Sequence, residues 1–118
     1  MSTTFNLKFL EEITAGDQQK LKHLMQTFID EAPKALNKLK DLQKVRNFDD
    51  MYQVVHTAKQ LYHSVGSEKA TAIIGNLENY SRSAFFRELI PVEIQELDKI
   101  SNEICQEMST LMQTKFNN

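Results

Sequence analysis

His56 and Lys59 are the two residues of this chain whose types and spacing could do covalent chemistry. They lie in the run VHTAKQLYHSVG at positions 55–66, which reads as the end of a helix with Gly66 as a left-handed stop. Imidazole offers a nucleophilic lone pair near neutral pH. A lysine three positions on lies one helical turn away on the same side. Its ammonium favours the neutral ring and supplies a fixed cation for any anionic group attached to it. An accessible neutral ring nitrogen and a fixed cation are what a phosphoryl acceptor requires. The same pair also occurs on ordinary solvated helices, so the surrounding elements must decide.

Asp49, Gln53, His56, Gln60, His63 and Ser67 follow the rhythm of one polar helix face. It adjoins an apolar face of Met51, Val55, Ala58, Tyr62 and Val65. His56 is therefore expected to be half-exposed, its ring leaning on the rest of the fold. Asn47 is suited to cap this helix, with Asp49 and Asp50 favourably placed in its first turn.

Four further helices are expected around it. Asn6 caps a short one through Leu7, Phe9, Leu10 and Ile13, ended by Thr14, Ala15 and Gly16. Asp17 caps a long one with the stripe Leu21, Leu24/Met25, Phe28, Ala32, Ala35/Leu36, Leu39 and Leu42. Pro33 lies inside it and predicts a kink, because the stripe continues in phase beyond it. Arg46 and Asn47 read as a turn. Ser67 caps a fourth helix through Ala70, Ile73/Ile74, Leu77 and Tyr80/Ser81, where Gly75 either costs about 1 kcal/mol relative to alanine or permits close helix contact. The stretch 81–90 reads as either helix extension or loop. Pro91 suits the first turn of a last helix that buries Ile94, Leu97, Ile100/Ser101, Ile104, Met108 and Leu111, with fraying over 114–118. No alternation of period two and no internal repeat is present. These stripes predict an all-α fold: an antiparallel four-helix bundle with an additional short N-terminal helix across one end, a single domain over 1–118.

Composition narrows the function. The 118 residues carry 14 basic and 16 acidic side chains for a net charge of −2, which argues against a nucleic-acid or anionic-membrane binder. One cysteine permits no internal disulfide, and no signal peptide or membrane span is expected, so a soluble cytoplasmic protein fits. There is no glycine-rich phosphate loop, which removes nucleotide-binding kinases of that type. A metal site is not expected. His56 and His63 are seven residues apart, about 10.5 Å along a helix and too far for one ion. His63 is better placed at the rim of an interface. His23 belongs to another level of the fold. Cys105 reads as core, and Met25, Met51, Met108 and Met112 as core filler. If the second and third helices are antiparallel, His56 is level with roughly residues 36–40. Lys34, Lys38 and Lys40 then lie near it, on what is by default a solvated face.

The segment resembles the histidine phosphotransfer (HPt) domains of multistep two-component relays. Their pattern is His-x-x-Lys-Gly, then small residues, a hydrophobic residue and a glycine ten positions after the histidine, and later an apolar residue and a Leu-Glu pair. His56, Lys59, Val65, Gly66, Ala70 and the pair Leu77-Glu78 fall at those spacings. The stretch from Phe5 to Ile13, the Gly16-Asp17 helix start and the run Thr27-Phe28-Ile29-Asp30-Glu31-Ala32-Pro33 are also similar to that family's first two helices, so the resemblance covers nearly the whole chain. It implies that His56 is the phosphoacceptor and Lys59 its charge-stabilising neighbour. It implies a response-regulator receiver domain or a hybrid sensor histidine kinase as partner, and Gln53, His63, Lys34 and Lys38, on the faces around His56, are expected to border that partner. Such domains have no kinase activity or cofactor of their own, the Mg²⁺ and aspartate belonging to the receiver. A monomer is expected, since every stripe can be buried within the bundle.

The departure is Gln60, where the family usually has glycine. Its long side chain either crowds the phosphoryl position or donates a hydrogen bond to it. Leu61 and Tyr62 replace small residues and imply a differently filled core. Two alternatives stand beside a phosphocarrier: a phosphorylation-silent module that binds receivers without transfer, and an unrelated helical adaptor.

Overall fold

The computed structural model describes residues 5–116, the side chains of 115 and 116 excepted, and every regular element in that span is helical. The order is α1 (Leu7–Ile13), α2 (Gln18–Lys44), α3 (Phe48–Ser64), α4 (Glu68–Arg82) and α5 (Ile90–Phe116), with a 3-10 turn at Arg87–Leu89 leading into α5. Thr114 is still helical, and residues 117 and 118 of the expected frayed end lie outside the described residues.

Helices α1 to α4 start where a short polar side chain takes up their first free amides. Asn6 Oδ1 accepts from the Phe9 amide, Asp17 from Gln19 and Lys20, Asn47 from Asp50, and Ser67 Oγ from Ala70. The ends of α1, α2 and α3 are set by left-handed residues, whereas α4 ends on an extended Ser83. After α2 the Arg46 amide donates to the Gln43 carbonyl and the Asn47 amide to the Leu42 carbonyl, a Schellman closure with Arg46 at φ 55° where glycine is usual. After α1, Ala15 takes that position at φ 52°, one residue before Gly16. Helix α2 runs through the exposed Pro33 as one element of 27 residues, and its apolar stripe keeps phase.

The stripes meet in one core. Leu21, Met25, Phe28, Ala32, Leu36 and Leu39 of α2 face Met51, Val55, Ala58 and Tyr62 of α3, with Leu77 of α4 and Leu97, Ile104 and Met108 of α5 among their partners. Each large apolar side chain buried this way contributes roughly 1.5–3 kcal/mol. Leu42 and Leu111, near helix ends, are only partly buried. Helix α2 packs on α3 and α5, and α4 packs on the same two, so the four long helices close a ring. Helix α1 is pinned to the α3–α4 corner by the Asn6 amide, which donates to the Val65 carbonyl at 3.0 Å.

Tyr62 explains how the core accommodates a bulky residue. It is fully buried, meets Phe28 edge-on at 5.3 Å, and shares a 2.5 Å hydrogen bond with Ser101 of α5. Burial pushes its phenol up to about 12, so it stays protonated. Beside it, Lys40 reaches α5 and pairs with Asp98 at 3.0 Å, which turns Lys40 away from α3.

Stretch 81–90 resolves into the last turn of α4, a bend and the 3-10 turn. Phe86 there has φ 67° and is exposed, as is Phe85, so the connector leaves apolar surface uncovered, next to the exposed Val92 of α5. Apart from the backbone of its own helix and its two chain neighbours, nothing lies within 4 Å of where a Cβ on Gly75 would stand, so it serves no close helix contact. Gly75→Ala is accordingly expected to raise stability by up to about 1 kcal/mol, read as a higher denaturant midpoint at unchanged slope.

Candidate functional site

Residues of one helix alone would leave His56 loosely held, since its side chain is 60% exposed. Helix α4 supplies what α3 lacks. Glu78 lies across from His56, its side chain only 14% exposed, with Oε2 2.9 Å from His56 Nδ1 and Oε1 3.1 Å from Lys59 Nζ. An ionised carboxylate has no hydrogen to give, so Nδ1–H donates, and in the neutral ring the free lone pair is on Nε2. The hydrogen bond from His56, and then that from Lys59, hold the Glu78 carboxyl below the usual carboxylate range.

Lys59 thus acts on the ring through Glu78, offsetting the carboxylate's charge one turn from the histidine. Tyr52, one turn before His56, places its ring 5.8 Å from the imidazole at 24° to it. Arg82, one turn beyond Glu78, lies 5.2 Å over the Tyr52 ring.

Asp49, Gln53, His56, Gln60 and His63 are all exposed along α3 as the spacing predicts. Ser67 leaves that face and is buried as the α4 cap, because the helix has already ended at Ser64. Gln60 makes no hydrogen bond to another described residue. On the other side of the polar strip, a groove of about 590 Å³ runs between α2 and α3. Its rim carries Lys34, Lys38 and Gln53, and its floor includes Val54 and Leu61, so these three expected contact residues share one surface. His63 does not join them. It borders a separate hollow with Asn6, Phe9 and Gly66, two turns from His56. His23 sits in another depression beside Ile13 and Leu24.

Glu78 is the site residue that spacing alone did not single out. Its signal was the Leu77-Glu78 pair, in which Leu77 is buried and the glutamate is turned toward α3. Tyr52 and Arg82 carried no signal, because their pairing crosses two helices. Among the described residues no group of three metal-ligating side chains occurs, and no helix is long and apolar enough to cross a membrane. Burial pushes the Cys105 thiol up, which makes it a poor nucleophile. Comparison with family models, with known protein sequences and with solved structures gives no match to this chain.

The arrangement presents one nucleophilic nitrogen to solvent, with the opposite nitrogen tied to a carboxylate. That is the geometry of a base-oriented nucleophile. It can accept an electrophilic group at Nε2 while Glu78 stabilises the positive charge that develops on the ring.

Proposed function

We propose that this chain is a phosphorelay histidine phosphotransfer module. Helices α2 to α5 form an antiparallel four-helix bundle with α1 across one end, and His56 carries a phosphoryl group to or from the aspartate of a response-regulator receiver domain. The contact of His56 Nδ1 with Glu78 carries this reading, because it leaves Nε2 as the free nucleophile at an exposed position. In the forward step the Nε2 lone pair attacks phosphorus of the aspartyl phosphate. An N–P bond forms, the P–O bond to the aspartyl carboxylate breaks, and the carboxylate leaves with its electron pair. The Nδ1 proton stays in the hydrogen bond to Glu78, whose negative charge offsets the imidazolium. The reverse step restores the aspartyl phosphate. The Mg²⁺ belongs to the receiver, and the groove bearing Lys34, Lys38 and Gln53 offers it an adjacent surface.

A silent module that binds receivers without turnover is the second reading, and Gln60 favours it. Its uncommitted, exposed side chain stands one turn from His56. Gln60→Gly is expected to speed transfer about two- to tenfold, since up to about 1.4 kcal/mol of steric cost is removed. Slower transfer in that variant would identify Gln60 as a hydrogen-bond donor to the phosphoryl group. Incubation with a phosphorylated receiver and Mg²⁺ separates the two readings. A phosphocarrier forms an acid-labile adduct that His56→Ala abolishes, whereas a silent module binds without one.

A further inference from the structure

A single hydrogen bond fixes one edge of a ring and leaves its plane free to swing. Among the described residues His56 has one hydrogen bond, to Glu78 at Nδ1, and with 60% of its side chain exposed no core packing restrains it. A nucleophilic nitrogen needs its plane fixed as well, because attack is along the in-plane lone pair. Two residues outside the histidine–carboxylate pair supply that restraint.

Tyr52 precedes His56 by four residues, so the two rings lie one above the other on α3. Their centroids are 5.8 Å apart and their planes differ by 24°, an offset stack. Arg82 follows Glu78 by four residues on α4, and its guanidinium lies 5.2 Å over the Tyr52 ring. The pair on α4 therefore clasps the pair on α3: Glu78 takes the imidazole edge while Arg82 holds the phenol that lies against the imidazole face. Neither Tyr52 nor Arg82 belongs to the hydrophobic core, so the clasp is separable from folding.

We infer that Tyr52 and Arg82 are positioning residues that fix the plane of the His56 imidazole and aim its Nε2 outward. This rests on the reading of His56 as the phosphoacceptor. Tyr52 supplies a flat surface to the ring, and Arg82 keeps that surface in register with α4.

The test uses the whole protein and needs no receiver. Long-range ¹H–¹⁵N NMR reads the hydrogen position on the His56 ring, assigned by its loss in His56→Ala. Phosphoramidate, which phosphorylates imidazole directly, gives the rate. Tyr52→Leu is expected to mix the two ring tautomers and slow uptake roughly threefold to tenfold, the modest end of what misplacing a reacting group costs. Tyr52→Phe keeps the flat ring and is expected to restore both readouts, and Arg82→Gln is expected to fall between. A merely structural role would lower the melting temperature without changing tautomer or rate in the folded protein. An unchanged ring spectrum and rate in Tyr52→Leu would overturn the inference, as would Tyr52→Phe being as impaired as the leucine variant. If the wild type takes phosphoryl from phosphoramidate but never from a receiver, the relay reading fails while this one stands.

Discussion

Glu78→Ala is expected to slow phosphoryl uptake by His56 on the order of a hundredfold, the low end of what a positioned acid–base group contributes. Two effects act in the same direction. The ring loses its Nδ1 acceptor, so the free lone pair is no longer confined to Nε2. The charge developing on the imidazole loses its compensating carboxylate. Lys59, released from Glu78, can meet the phosphoryl oxygens and offsets only part of that loss. Glu78→Gln separates these contributions, because an amide oxygen can still accept from Nδ1–H but carries no charge. It is expected to recover the Nδ1–H tautomer while recovering only part of the rate, measured by ring NMR and by transfer kinetics. The pH dependence has a definite sign. The folded carboxyl lies below its ordinary value of 4.5, held first by His56 and then by Lys59. Its contribution to stability is thus fully present above that ordinary value and is lost as pH falls through the lower folded one. A ¹³C titration of the Glu78 carboxyl should place its midpoint below that of an unperturbed glutamate.

Gly66→Val is expected to cost about 2–5 kcal/mol, the largest stability loss anticipated for a single residue of the α3–α4 corner. Two causes add. Gly66 has φ 68°, which is strained for a residue with a branched Cβ. A Cβ there would also stand 2.9 Å from Asn6 Cβ and 3.1 Å from Phe9 Cδ2, so α1 must move. That displacement threatens the Asn6 amide bond to the Val65 carbonyl, which ties α1 to the corner. In a protein of this size the melting temperature should fall by roughly 10 °C or more. Gly66→Ala should fall by less, and hydrogen exchange should report the loss first in α1.

The helices were legible because their signals are local. Asn6, Asp17, Asn47 and Ser67 cap α1 to α4 through side-chain oxygens that reach two or three residues forward. The stripes Leu21 to Leu39 and Met51 to Tyr62 repeat at the helical period. Pro33 did not end α2 because it falls on the exposed face of a helix whose neighbours hold it on the other. Residues 83–89 were illegible, since a bend with Phe86 in left-handed geometry has no period to read. The site was legible only along α3. His56, Lys59 and Gln60 lie within one or two turns of each other, but Glu78 is 22 residues from His56 and Arg82 farther still. Their approach depends on the relative rotation of α3 and α4, which packing decides and no single helix reveals. For the same reason Lys40 could be assigned a level on α2 but not a direction, and it faces Asp98 of α5.

The most direct measurement is ³¹P–¹⁵N correlation NMR on the protein after transfer from a phosphorylated receiver. One phosphoramidate signal coupled to Nε2 of His56 is expected, with Nδ1 still protonated against Glu78 and no signal in His56→Ala. A phosphoryl group on Nδ1, on His23 or His63, or no adduct despite receiver binding, would rule out His56 Nε2 as the phosphoacceptor.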